Sequence, residues 1–218
     1  HQDPGFVDLL LNKANDTHVV NAYYPCDANM ALAVAERAYT STDCVNAIFC
    51  GKQPAPTFIT VDDARAELAE GLAAWEWAST AASLEEADIV IATCGDLAIS
   101  DDRFAEFFGA GEKPVLFCFH AYAGTIRRLV WNRPGHDAWH VHGYEEKGST
   151  TTPFDMLRLN NMDRWALAAE ALRLIDGPRG ESEHAEQIEA WEAFRLEAFE
   201  FAVEEGYDHP AFTDWVWP

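Results

Sequence analysis

Basic residues are scarce in this chain. Lys and Arg number 15 against 37 Asp and Glu, a formal net charge of −22, and no basic run is longer than the pair Arg127 and Arg128. A field of that sign repels nucleic acid and anionic membrane surfaces, so neither is expected as a partner. A small phosphorylated substrate stays open, because one lysine in a cleft acts over a few ångströms whatever the global charge. Cysteine is sparse as well. The five residues Cys26, Cys44, Cys50, Cys94 and Cys118 form no C-x-x-C pair. Three of them fall in apolar runs and are expected as small buried thiols in a reducing compartment. Long apolar runs are missing too, as are a signal-peptide pattern, repeats and low-complexity tracts. A membrane-spanning helix is therefore not expected, and a cytoplasmic location is.

Core material, by contrast, is plentiful: hydrophobic residues make up 49% of the 218, with eight Trp and thirteen Phe. The first 60 residues alternate in pattern. "HVVNAYYP" (18–25) reads as a strand, "DANMALAVAERAY" (27–39) as a helix capped by Asp27, and "VNAIFCG" (45–51) as a strand buried on both faces. Strand, helix and strand at this spacing form a βαβ unit of a parallel sheet. A helix is expected from about Asp62 to Trp77, with Thr60 and Asp63 as its capping box.

Beyond residue 86 the pattern resumes. "DIVIATCGD", "KPVLFCFHAY" and "WHVHGY" read as strands, "SDDRFAEFF" and "GTIRRLVWN" as helices. "GSTTTPFDM" starts a helix with Thr152 as cap and Pro153 in its first turn, and Leu159, Met162, Ala166, Ala169 and Leu172 continue its apolar stripe. A last Glu-rich helix spans roughly 181–205. The expectation is an α/β protein in three parts. Residues 1–60 form the end of one parallel-sheet domain, 61–86 a linker helix and loop, and 87–218 a second α/β domain.

Several residues could carry chemistry. His1 titrates near neutrality and can exchange protons, and Gln2 and Asp3 stand beside it ahead of the turn-forming Pro4 and Gly5. Lys52 and Gln53 follow Gly51, just past the carboxyl end of an expected parallel strand, the edge where ligands of open α/β sheets bind. His136, His140 and His142 imitate metal spacings, and His140 and His142 share a strand face. The amides of "GSTTTP" at a helix start could hold an anion, although a plain cap explains them more simply.

Six separated stretches in order carry a resemblance: "HQDPG", "YYPCDANM", "GKQPAP", "WEWAS", "HGYEEKGSTTTPFDM" and "DHPAFTDWVWP". Together they resemble the C-terminal part of the thiamine diphosphate-dependent phosphoketolases. These enzymes cleave xylulose 5-phosphate, and often fructose 6-phosphate, with inorganic phosphate to acetyl phosphate and an aldose phosphate.

The resemblance implies that residues 1–60 end a pyrimidine-binding domain and that numbering starts inside a longer chain. It also implies that thiamine diphosphate and Mg2+ are held mainly by polypeptide outside these residues, in a homodimer or higher homo-oligomer. By position, His1 resembles the family's proton-transferring histidine and Lys52 its sugar-phosphate lysine. Gln2, Asp3 and Gln53 resemble supporting residues.

One departure stands out. Between "ATCGDLAI" and "SDDRFAEFF" the family has a further helix and strand, a few dozen residues, whereas here the segments abut. Omission is the favoured reading, and it predicts a spatial gap near Leu97 to Asp101. Three other functions compete: transketolase-like two-carbon transfer, a non-catalytic α/β assembly module, and a hydrolase with zinc on His136, His140 and His142. The "GKQP" and "DWVWP" stretches favour phosphoketolase over transketolase.

Overall fold

A computed structural model describes residues 5–17, 19–51, 56–93, 101–145, 151–177 and 183–214. The chain opens with helix α1 (Gly5–Thr17), then strand β1 (Val20–Tyr23), helix α2 (Ala28–Thr40) and strand β2 (Val45–Ile48). The two strands pair in parallel, with Val20 opposite Val45 and Tyr23 opposite Ile48, so the expected βαβ unit is present. Asn21 and Asn46 reinforce the pairing through a 3.0 Å amide bond. Helix α1 is the surprise, since its apolar run (Val7, Leu9, Leu10, Leu11) carried no helix assignment. It packs against β1, and buried Val7 enters the core of the second sheet.

Helix α3 (Val61–Glu70) starts as expected: Thr60 accepts from the Asp63 N–H, and Asp63 accepts from the backbone of Thr60. It stops seven residues short of Trp77, because Gly71 takes the left-handed conformation (φ 82°) and caps it. The linker then folds back so that Phe58, Trp75 and Trp77 stack, with Trp75 and Trp77 centroids 5.2 Å apart.

The second sheet has strands β3 (Val90–Thr93), β4 (Val115–Tyr122) and β5 (Trp139–Tyr144), all parallel, with β4 in the middle. Helices α4 (Asp101–Phe108) and α5 (Ala123–Val130) flank it. Phe104, Phe108, Phe117, Phe119, Ile126 and Val141 form its core, and Trp139 stacks on Phe104 and Phe117. Each buried aromatic or aliphatic side chain contributes about 2 kcal/mol. β3 is less well covered: Ile91 is 64% exposed. The thiols divide differently from expectation. Cys118 is buried on β4, but Cys50 is exposed because β2 ends two residues before it, and Cys94 lies outside the described residues.

The remaining helices are α6 (Pro153–Leu159), α7 (Arg164–Asp176), α8 (Ala185–Glu205) and α9 (Pro210–Thr213). The stripe expected as one helix from Thr152 is two. Asn161 adopts φ 52°, and Asp163 restarts the helix by accepting from the N–H groups of Trp165 and Ala166. Buried Asp163 also pairs with Arg195 of α8 at 2.8 Å. Phe154, Trp165, Phe194 and Phe212 pack around this junction. Among the described residues no helix is long and apolar enough to cross a membrane.

Candidate functional site

The start of α1 and the residue after β2 meet beside the carboxyl end of β1. His1, Gln2 and Asp3 lie outside the described residues, as do Lys52 and Gln53, but the segments anchoring both groups are described. Phe6, in the first turn of α1, lies five residues after His1. Phe49, just past β2, lies three residues before Lys52. Their rings meet with centroids 6.5 Å apart. Tyr24, just past β1, stacks on Phe49 at 4.8 Å with planes 11° apart, and turns an edge to Phe119 of β4 at 5.2 Å. Three aromatic anchors therefore join the start of α1, the ends of β1 and β2, and the second sheet. Such contacts add about 1 kcal/mol each beyond burial.

The Lys52 loop is tied on its return side as well. Asp27 is only 6% exposed and does more than cap α2. Its Oδ1 accepts from the Met30 N–H at 2.7 Å, and its Oδ2 accepts from the N–H groups of Phe58 (2.7 Å) and Ile59 (3.1 Å). Asn29 Nδ2 donates to the Ile59 carbonyl at 2.7 Å. Burial pushes the Asp27 carboxyl up, but the backbone N–H groups of Met30, Phe58, Ile59 and Asn29 outweigh that and hold it below the usual carboxylate value. The described residues on either side of 52–55 are thus held at Phe49 and at Phe58. Sequence reasoning gave Asp27 its cap and missed the clamp, which spans 31 residues and leaves no local signal.

Helix α1 is pinned to the second sheet by polar contacts. The Thr125 hydroxyl donates to the Asp8 carboxylate, which also pairs with Arg128 at 2.7 Å. These contacts fix the orientation of the helix that follows His1.

The remaining candidates take ordinary roles. His136 Nε2 sits 3.0 Å from its neighbour Asp137, with its ring against Trp131. His140 and His142 share a face of β5, as expected, and burial lowers the pKa of His142. Among the described residues no group of three or more His, Cys, Asp or Glu is placed to hold a metal ion. At the start of α6, Thr152 accepts from Asp155 N–H and the Asp208 carboxylate accepts from Phe154 N–H at 3.1 Å. A protein carboxylate therefore takes the place offered to an anion. Gly148 to Thr150 lie outside the described residues, as do residues 97–100 of the gap expected near Leu97 to Asp101, while Asp101 begins α4.

Comparison with known proteins closes the assignment. Residues 1–41 match the family profile of D-xylulose 5-phosphate/D-fructose 6-phosphate phosphoketolase, and residues 52–99 and 96–217 match that of the XFP C-terminal domain. A "Probable phosphoketolase" of Bifidobacterium animalis subsp. lactis is 47% identical over 257 positions, covering all of this chain and 30% of that protein. Proteins of the same description from Bradyrhizobium diazoefficiens and Mycobacterium avium are each 35% identical, with the whole chain covering 32% of each. The chain spans about a third of the length of these curated relatives. The 257 aligned positions against 218 residues leave at least 39 positions of the Bifidobacterium protein without a counterpart, and the C-terminal profile breaks at 96–99. The chain belongs to the phosphoketolase family and corresponds to its C-terminal portion.

Proposed function

We propose that these residues form the C-terminal third of a phosphoketolase that cleaves xylulose 5-phosphate, with fructose 6-phosphate as a second candidate substrate, using inorganic phosphate to give acetyl phosphate and an aldose phosphate. The observation that carries this reading is the convergence of Phe6 and Phe49, the anchors of the His1 and Lys52 loops, at the carboxyl edge of β1 and β2. His1 holds and moves protons at the reacting carbons, a task suited to an imidazole near pH 7. Lys52 holds the sugar phosphate as a point charge, with Gln2, Asp3 and Gln53 orienting the two loops. Thiamine diphosphate, when bound, supplies the electron sink for carbon–carbon cleavage. Its Mg2+ takes one or two protein carboxylates beside the diphosphate oxygens. In this reading both are held mainly by polypeptide outside this chain, within a homo-oligomer in the cytoplasm.

The test is a chimera in which this chain replaces the matching third of the Bifidobacterium protein. Acetyl phosphate should form from xylulose 5-phosphate and inorganic phosphate. His1→Asn should lower kcat by about a hundredfold, the scale of a lost proton-transfer group. Lys52→Ala should act mainly on KM for the sugar phosphate. Phosphate-independent two-carbon transfer to an aldose would replace this reading with a transketolase-type one.

A further inference from the structure

Beside β5 lies a second cleft, remote in sequence from the His1 and Lys52 loops. It has a volume of about 620 Å³ and is lined among others by Tyr144, Arg127, His140, His142, Asn161 and Glu170. Its donors outnumber their uses. Arg127 Nη2 donates to the Val141 carbonyl at 3.0 Å, and no carboxylate among the described residues forms an ion pair with this guanidinium. In a chain with more than twice as many acids as bases, an arginine without a carboxylate partner is notable. The Asn161 side-chain oxygen accepts from Arg195 at 3.0 Å, which turns its amide N–H group into the remaining free function. His140 and His142 project from one strand face into the same space.

We infer that this cleft is a second ligand site, taking a small phosphate monoester through Arg127, His140 and His142, with Glu170 accepting a hydroxyl of the esterified polyol. The parts match that chemistry. A guanidinium and two imidazoles converge as donors for a doubly charged phosphate head, and charge-assisted bonds of this kind are the strong ones. Two carboxylates line the cleft, Glu145 and Glu170, and both oppose a bare anion; Glu170, 4.0 Å from Arg173, is the one assigned to the sugar hydroxyl. His142 faces His140 on β5, Arg127 on α5, Glu145 after β5 and Glu170 on α7. Burial, His140 and Arg127 favour its neutral form, and the two glutamates favour the charged one. A bound dianion adds to the glutamates and draws a proton onto the ring. This site stands apart from the reading of the amino-terminal edge and does not rest on it.

The experiment is an NMR titration of the imidazole resonances of the 218-residue protein with ribose 5-phosphate, and separately with inorganic phosphate. The signals of His140 and His142 should shift and saturate by about 10 mM, where a millimolar site is nearly filled. The titration midpoint of His142 should rise on binding. Ribose 5-phosphate should bind several-fold tighter than inorganic phosphate; equal affinity would make the site one for free phosphate and overturn the monoester assignment. Arg127→Gln should weaken binding about tenfold or more. Glu170→Gln should tighten inorganic phosphate while weakening ribose 5-phosphate, a split that a merely structural role would not produce. Lys52→Ala should leave the titration unchanged, which separates this site from the proposed catalytic one. Absence of any shift, or binding abolished by Lys52→Ala and untouched by Arg127→Gln, would overturn the inference.

Discussion

At the scale of single residues, two buried carboxylates do the most. Asp27 ties the return of the Lys52 loop to the start of α2 through the N–H groups of Met30, Phe58 and Ile59. Asp27→Ala removes the acceptor of all three and should cost about 2–3 kcal/mol, measured by urea denaturation. The same bonds set a pH dependence. The folded carboxyl titrates below its unfolded value of 3.8, so the folded state binds the proton less readily than the unfolded one. The stabilisation is therefore complete above the unfolded pKa and is lost as pH falls through the lower folded value. The gap in stability between wild type and Asp27→Asn should be constant from pH 7 to 5 and should shrink below about pH 4. Asp163 is nearly inaccessible, caps α7 and pairs with Arg195. Asp163→Ala strands that guanidinium and should cost about 3–5 kcal/mol.

At the scale of elements, positive-φ positions decide where helices stop and which glycines are replaceable. Gly71 has φ 82° with open space around its missing side chain, so Gly71→Ala should cost only about 1 kcal/mol. Gly135 has φ 71°, and a Cβ there would come within 2.3 Å of the Gly111 backbone nitrogen. Gly135→Ala must move the loop before β5 and should cost about 3 kcal/mol or more, read as a larger fall in Tm than for Gly71→Ala.

The strands "VNAIFCG", "VLFCFHAY" and "WHVHGY" were legible as strands from short apolar or alternating runs, but the expected burial of "VNAIFCG" on both faces fails, since Val45 and Ile48 at the ends of β2 are exposed. The capping box of α3 was legible for a similar reason, since its partners are three residues apart. The break between α6 and α7 was not: it depends on Asn161 at φ 52° and on an arginine 32 residues away from Asp163. The helical periodicity of the apolar stripe runs across that break undisturbed. Exposure of Cys50 escaped notice for the opposite reason, because an apolar run outlasts the two hydrogen-bonded positions that matter.

At the scale of the whole molecule, helix α1 joins the core of the second sheet, while α2 and α3 close over a separate cluster of Ala33, Ile59 and Ala64. Val7 of α1 packs with Phe117 and Phe119 of β4, and Asp8 binds Thr125 and Arg128 of α5 across a sequence distance of more than a hundred residues. The candidate site was legible only as two separate motifs, one just past an expected strand end and one ahead of a Pro-Gly turn. That their anchors meet needed the fold, because β1, α2 and β2 separate the helix of Phe6 from Phe49. Family membership also locates the unusual edge. The break in the profile, at 96–99, comes shortly after β3, whose Ile91 is 64% exposed. Ile91→Thr should leave stability within about 0.5 kcal/mol and reduce self-association, measured by sedimentation.

The central claim is that the imidazole of His1 and the ammonium of Lys52 belong to one site. A pulsed EPR distance between spin labels at Gln2→Cys and Gln53→Cys, with the native cysteines changed to serine, tests it most directly. The account predicts a narrow distribution centred below about 25 Å, as two short tethers from touching anchors dictate. A distribution centred beyond about 40 Å would place the two loops on separate faces and contradict it.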